Sequence, residues 1–80
     1  MQEQRTEPRR RTLKGATISY DYGVGIDCLI RNLADHGACL EIESPVGVPN
    51  VFTLKPKDDQ HRVCSVAWRS GRRIGVTFAR

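Results

Sequence analysis

The feature that most constrains this chain is the alternation of apolar and polar residues from Ile26 to Ile42, IDCLIRNLADHGACLEI. Apolar residues take every second position on both sides of its centre: Ile26, Cys28 and Ile30, then Ala38, Leu40 and Ile42. A period of two residues is typical of a strand with one face in a core. Asn32, Asp35 and Gly37 stand between the halves, and these residue types favour turns because they tolerate a positive φ or bond their own backbone. The segment therefore predicts a strand, a tight turn and a second strand.

Four further segments show the same alternation, with turn residues between them. They are about 16–20, 51–55, 62–69 and 73–78. Their expected inward-facing side chains are Phe52, Leu54, Cys64, Val66, Trp68, Ile74, Val76 and Phe78. About six short strands are typical of an all-β sandwich or barrel. Closure removes unpaired strand edges, which favours a small six-stranded antiparallel β-barrel for a core of this size.

Positive charge is concentrated at the N-terminus. Residues 1–14 have five basic and two acidic side chains and account for +3 of the formal net charge of +4. They show no apolar period and contain Pro8, so residues 1–14 are predicted to form a flexible basic arm and residues 15–80 the barrel domain. A basic arm on a nearly neutral body indicates an anionic partner such as phosphate, nucleic acid or a membrane surface. A solvated tail without a partner is the simpler alternative.

Several function classes find no support in the residues. The three cysteines, Cys28, Cys39 and Cys64, form no CxxC pair, and no zinc pattern includes His36 or His61. Met1 is followed by Gln, Glu, Gln and Arg, which predicts no signal peptide, and no apolar run has the length of a membrane span. We therefore expect a cytoplasmic protein with reduced thiols and no membrane insertion. No arrangement of nucleophile, base and metal ligands is visible, so we expect neither an enzyme nor a metal or other cofactor.

Binding of a nucleotide is better supported. An arginine side chain can donate two parallel hydrogen bonds to phosphate and can stack on a flat ring. Arg5 and Arg9 lie four residues apart on the arm. The amide of Asn32 can donate to and accept from a base edge. Gly37 ends the turn and exposes its backbone, so arm and turn together predict a clamp for a small anionic nucleotide.

The same residues carry a resemblance to a known family. Arg5-x-x-x-Arg9 followed by Asn32-x-Ala34-x-x-Gly37 resembles the paired motifs of the PilZ domain, RxxxR and [D/N]xSxxG. Two further segments resemble PilZ strands in their usual order, Val66-Ala-Trp-Arg and Ile74-Gly-Val-Thr-Phe. The resemblance covers nearly the whole chain.

The resemblance implies a six-stranded β-barrel that binds the bacterial second messenger cyclic di-GMP. It assigns Arg5 and Arg9 to the phosphates and to stacking on guanine, with Arg10 assisting or replacing a neighbouring arginine. It assigns Asn32 and Gly37 to the guanine edge and the sugar-phosphate. A domain of this kind acts as a receptor: the arm orders over the barrel when ligand binds, and a downstream partner protein reads the change.

Ala34 departs from the family pattern because the motif has Ser at that position. A missing neutral hydrogen bond weakens binding by about 1 kcal/mol, and by about 1–3 kcal/mol if a buried ligand group is left unpaired. Ala34 therefore keeps open a degenerate PilZ domain that acts as a protein-interaction module without nucleotide. A nucleic-acid-binding barrel ranks third. The bases of a bound single strand stack on exposed aromatic side chains, and the few aromatic residues of this chain fall mainly on predicted core faces.

Overall fold

A computed structural model describes residues 10–79 of the chain, and the side chains of residues 13–79. Its strands are β1 Arg10–Tyr20, β2 Val24–Leu33, β3 Gly37–Glu41, β4 Val51–Pro56, β5 Arg62–Ser70 and β6 Arg73–Phe78. They form a closed antiparallel barrel in the order β1-β2-β3-β6-β5-β4. The predicted all-β, six-stranded barrel is confirmed. Residues 10–79 contain no helix long and apolar enough to cross a membrane.

The first strand is longer than the sequence predicted. It begins at Arg10 rather than near residue 16, and Arg10 lies opposite Leu33 of β2. Arg11 lies opposite Asn32 in the same ladder. Residues 10–14, which the sequence assigned to the basic arm, therefore belong to a barrel strand in the structure. A register shift between Arg11 and Lys14 interrupts the alternation of apolar and polar residues in β1. The sequence pattern therefore did not show that the strand begins at Arg10.

The core is the filled interior of the barrel. Ile18, Ile30, Leu40, Leu54 and Ile74 come from five different strands, and each is at most 1% exposed. The other buried apolar side chains are Ala16, Cys28, Ile42, Val48, Phe52, Cys64 and Val76. With one exception, the side chains predicted to point inward are buried or pack against this cluster.

The exception is Trp68, and its predicted core position is wrong. The indole is 47% exposed on the outside of the barrel. The register between β5 and β6 shifts between Val66 and Trp68, so an extra residue interrupts the alternation. An extra residue in one strand moves the following side chains to the opposite face of the sheet. The same shift occurs in β2 between Ile30 and Asn32, so Ile30 points inward while Asn32 lies opposite the outward-facing Cys39.

Candidate functional site

A groove lies on the outer surface of the barrel, over β3 and β6 and between β2 and β5. Its volume is about 490 Å³. Its lining residues are Asn32, Leu33, Ala34, His36, Gly37, Ala38, Cys39, Trp68, Arg73, Val76 and Thr77. Small-molecule sites in proteins commonly have volumes of roughly 300–1,000 Å³, so the groove has the size of a ligand site.

Three residues lie side by side across neighbouring strands at the groove, and two of them, Asn32 and Cys39, line it. Asn32 of β2 lies opposite Cys39 of β3, and Cys39 lies opposite Gly75 of β6. The indole of Trp68 covers Gly75, and a Cβ atom on Gly75 would collide with Nε1 and Cε2 of that ring. Gly75 therefore lets an aromatic ring lie against the sheet. This row has the amide of Asn32 at one end and the indole of Trp68 at the other.

The turn between β2 and β3 closes one end of the groove. It consists of Ala34, Asp35 and His36. The backbone N–H of Ala34 donates to the carbonyl of Gly37 at 2.9 Å, and the N–H of Phe78 donates to the carbonyl of His36 at 2.8 Å. These bonds tie the turn both to its own hairpin and to the end of β6. The turn therefore has a backbone held in place before any ligand arrives.

Gly37 is required for a reason other than turn conformation. Its φ is not positive, in contrast to Gly23, Gly47 and Gly71. A Cβ atom on Gly37 would collide with the carbonyl oxygen of Val76 in β6. Gly37 therefore does not supply a positive φ to the turn, and it is the first residue of β3. The missing side chain allows β3 and β6 to approach closely beneath the groove.

The structure places three of the predicted site residues together. Asn32, Ala34 and Gly37 all line the groove. Arg10 lies in β1 opposite Leu33, which is also a lining residue, but its side chain is outside the described part. Arg5 and Arg9 lie outside the described residues.

Sequence reasoning missed Trp68, Cys39 and Arg73 as lining residues. For Trp68 one signal was available, since Gly75 interrupts the apolar pattern of a strand. An isolated glycine in a strand often marks a close approach by another group.

The edge of the groove away from the turn carries positive charge. Arg31 Nη1 lies 3.0 Å from Glu41 Oε1, and Arg73 Nε lies 3.8 Å from the same oxygen. The three side chains are 36%, 30% and 52% exposed in the order Arg31, Glu41, Arg73. Exposed ion pairs contribute little to stability. These ion pairs matter here because two guanidinium groups share one carboxylate, which leaves a net positive charge at this edge of the groove.

A second, smaller cavity opens at the end of the barrel on the other side of Ala34. Its volume is about 160 Å³, and its walls include Lys14, Leu33, Arg62 and Phe78. The guanidinium carbon of Arg62 lies 4.8 Å from the centre of the Phe78 ring, which is a cation–π distance. This cavity is too small for a nucleotide.

The described residues provide groups for binding more clearly than groups for chemistry. Among them, no three histidine, cysteine or carboxylate side chains are grouped as metal ligands. Burial raises the pKa of Cys28 to about 12 and that of Cys64 to about 11. A thiol that keeps its proton is a poor nucleophile. The groove offers the aromatic face of Trp68, the amide of Asn32 and the guanidinium of Arg73, which are groups that can hold a flat, charged ligand.

No protein-family model matches the chain, and no curated protein shows significant sequence similarity to it.

Proposed function

We propose that this chain is a cytoplasmic receptor for cyclic di-GMP, and that the groove over β3 and β6 is its binding site. The observation that carries the proposal is the convergence of Asn32, Ala34 and Gly37 with Trp68 around one groove of nucleotide size. The first three come from a single turn motif. Trp68 comes from a distant part of the chain and adds the aromatic platform that the motif lacks.

Each part of the ligand has a matching group. A guanine ring stacks on the exposed face of Trp68, and base–aromatic stacking is worth about 1–3 kcal/mol. The amide of Asn32, which faces the same groove, bonds the edge of the base. Arg5 and Arg9 bind the phosphates, with Arg10 in support. Arg9 directly precedes β1, whose first residue lies opposite Leu33 beside the turn.

In this proposal the receptor signals through its N-terminal arm, which changes when the ligand binds. Binding orders the arginines of the arm over the groove, and a downstream protein distinguishes the covered surface from the open one. The receptor needs no metal or other cofactor for this, because the ligand itself supplies the charge that attracts the arm.

The proposal is tested by titrating the full chain with cyclic di-GMP while following fluorescence. Trp68 is the only tryptophan, so its emission reports directly on the groove. We expect Arg9→Ala to weaken binding by roughly tenfold to a hundredfold, since hydrogen bonds to charged groups are worth about 1.5–3 kcal/mol. We expect Ala34→Ser to tighten binding by up to about tenfold.

The control is Lys55→Ala, which removes an exposed cation from β4, a strand that neighbours neither β3 nor β6. Its affinity should match that of the native chain. A native chain that binds no cyclic di-GMP by fluorescence or calorimetry would refute the proposal.

Ala34 favours one second candidate, an interaction module that has lost its nucleotide. Ala34 lines both the groove and the smaller cavity, and it offers no hydroxyl to either. If the native chain is silent while Ala34→Ser binds cyclic di-GMP, this candidate replaces the receptor. If instead single-stranded nucleic acid shifts the chain in a salt-sensitive manner, the basic residues serve a different ligand.

A further inference from the structure

Three arginines with different surroundings lie close to the turn between β5 and β6. Arg69 is committed to the fold, because its Nη2 donates to the carbonyl of Val48 and to Oδ1 of Asn50, both at 2.9 Å. Arg72 is exposed and does not line the groove. Arg73 is half exposed and lines the groove. Of the three, Arg73 is the one placed to meet a ligand.

Arg73 lies at the far end of the groove from the turn. It is the first residue of β6, opposite Glu41, whereas Thr77 of the same strand lies opposite Gly37 at the turn. Four residues of a strand span about 13 Å. Gly75 lies midway, beneath Trp68. A ligand stacked on the indole therefore has the turn on one side and Arg73 on the other.

The guanidinium of Arg73 has capacity for an anion. Its Nε is 3.8 Å from Glu41 Oε1, which is beyond hydrogen-bond distance, while Arg31 takes the same oxygen at 3.0 Å. Arginine has five N–H donors, and a planar fork of two of them matches a phosphate. The carboxylate of Glu41 therefore attracts the Arg73 side chain but does not occupy all of its N–H donors.

We infer that Arg73 is a second anion contact of the groove, and that the site is built for a ligand with two separated phosphates. This inference rests on the proposed function and deepens it. Arg73 meets the phosphate that lies at the end of the groove away from the turn, so the arginines that the proposed function assigns to phosphate have one phosphate to bind rather than two. The site would then select a cyclic dinucleotide over a mononucleotide with the same base.

The test uses the full chain, Trp68 fluorescence and two ligands. Cyclic di-GMP carries two phosphates, and 3′,5′-cyclic GMP carries one with the same base. We expect Arg73→Ala to weaken binding of cyclic di-GMP by about tenfold or more, and binding of cyclic GMP by less than about twofold. The salt dependence of cyclic di-GMP binding should also become shallower, because one screened charge pair is lost.

Arg72→Ala is the matched control, since it removes the neighbouring exposed arginine from the same hairpin. Arg73→Gln, which keeps a long polar side chain, should repeat the result of Arg73→Ala if charge is responsible. If native protein binds and Arg73→Ala behaves like Arg72→Ala, the inference fails and the proposed function stands. If Arg73→Ala weakens both ligands equally, the two-phosphate assignment is wrong. If the native chain binds neither ligand, the function and the inference both fail.

Discussion

At the scale of single residues, the three thiols occupy two environments. Cys28 and Cys64 are 7% and 0% exposed in the barrel core, whereas Cys39 lines the groove. Desolvation by burial raises the pKa of both core thiols above 9.0, and the carboxylate of Asp27 raises that of Cys28 further. Arg62 partly opposes the effect at Cys64. The two core cysteines therefore act as small apolar side chains.

These raised pKa values predict that stability falls in alkali. Well below pH 9 both thiols keep their protons in the folded and the unfolded chain, and their burial costs nothing extra. As pH rises from 9 towards 12, the unfolded chain loses the Cys28 proton while the folded chain keeps it, so unfolding becomes more favourable. Urea unfolding at pH 8, 9 and 10 should show a steeper fall for native protein than for Cys28→Ala. Val76→Ala, a core truncation without a titrating group, should keep the native slope, and equal slopes in all three would contradict the assignment.

At the scale of the elements, the groove depends on how strands meet. The register shifts in β2 and β5 turn Asn32 and Trp68 outward, and Gly75 makes room for the indole. Gly37 lets the carbonyl of Val76 approach β3. The shape of the site is therefore a property of strand pairing.

Gly37→Ala should be clearly destabilising. The new Cβ would collide with a backbone carbonyl in β6, which cannot rotate away as a side chain can. Forcing atoms into a packed structure costs about 1–3 kcal/mol, and we expect a loss in that range by urea unfolding. Gly15→Ala is the matched control, because its Cβ would meet only the flexible side chain of Lys57 at 3.6 Å. A loss at Gly15 as large as that at Gly37 would show that close approach of β6 is not the cause.

At the scale of the whole molecule, closure between β1 and β4 completes the barrel. Ile18 of β1 lies opposite Leu54 of β4, and both side chains are at most 1% exposed. Stabilities of about 0.05–0.15 kcal/mol per residue leave a domain of this length with roughly 4–12 kcal/mol. A small change at the closing seam therefore takes a measurable share of the total.

Ile18→Val should lower the free energy of unfolding by about 0.5–1.5 kcal/mol, because it removes one buried methylene. Val63→Ala, at a side chain 48% exposed on β5, removes more atoms but should change stability by less than about 0.5 kcal/mol. Chemical unfolding of the two variants beside native protein makes the comparison. An equal or larger loss at Val63 would mean that the outer face, not the seam, limits stability.

The sequence by itself determined the strands and most of the core. Alternation is a local property, since a pleated strand directs successive side chains to opposite faces whatever its neighbours are. The single motif from Asn32 to Gly37 also located the turn, because its members are close in the chain. Tertiary structure decided the order of strands around the barrel, the start of β1 at Arg10 and the outward position of Trp68. These depend on register between strands distant in sequence, and one extra residue in a ladder reverses the face of every side chain that follows.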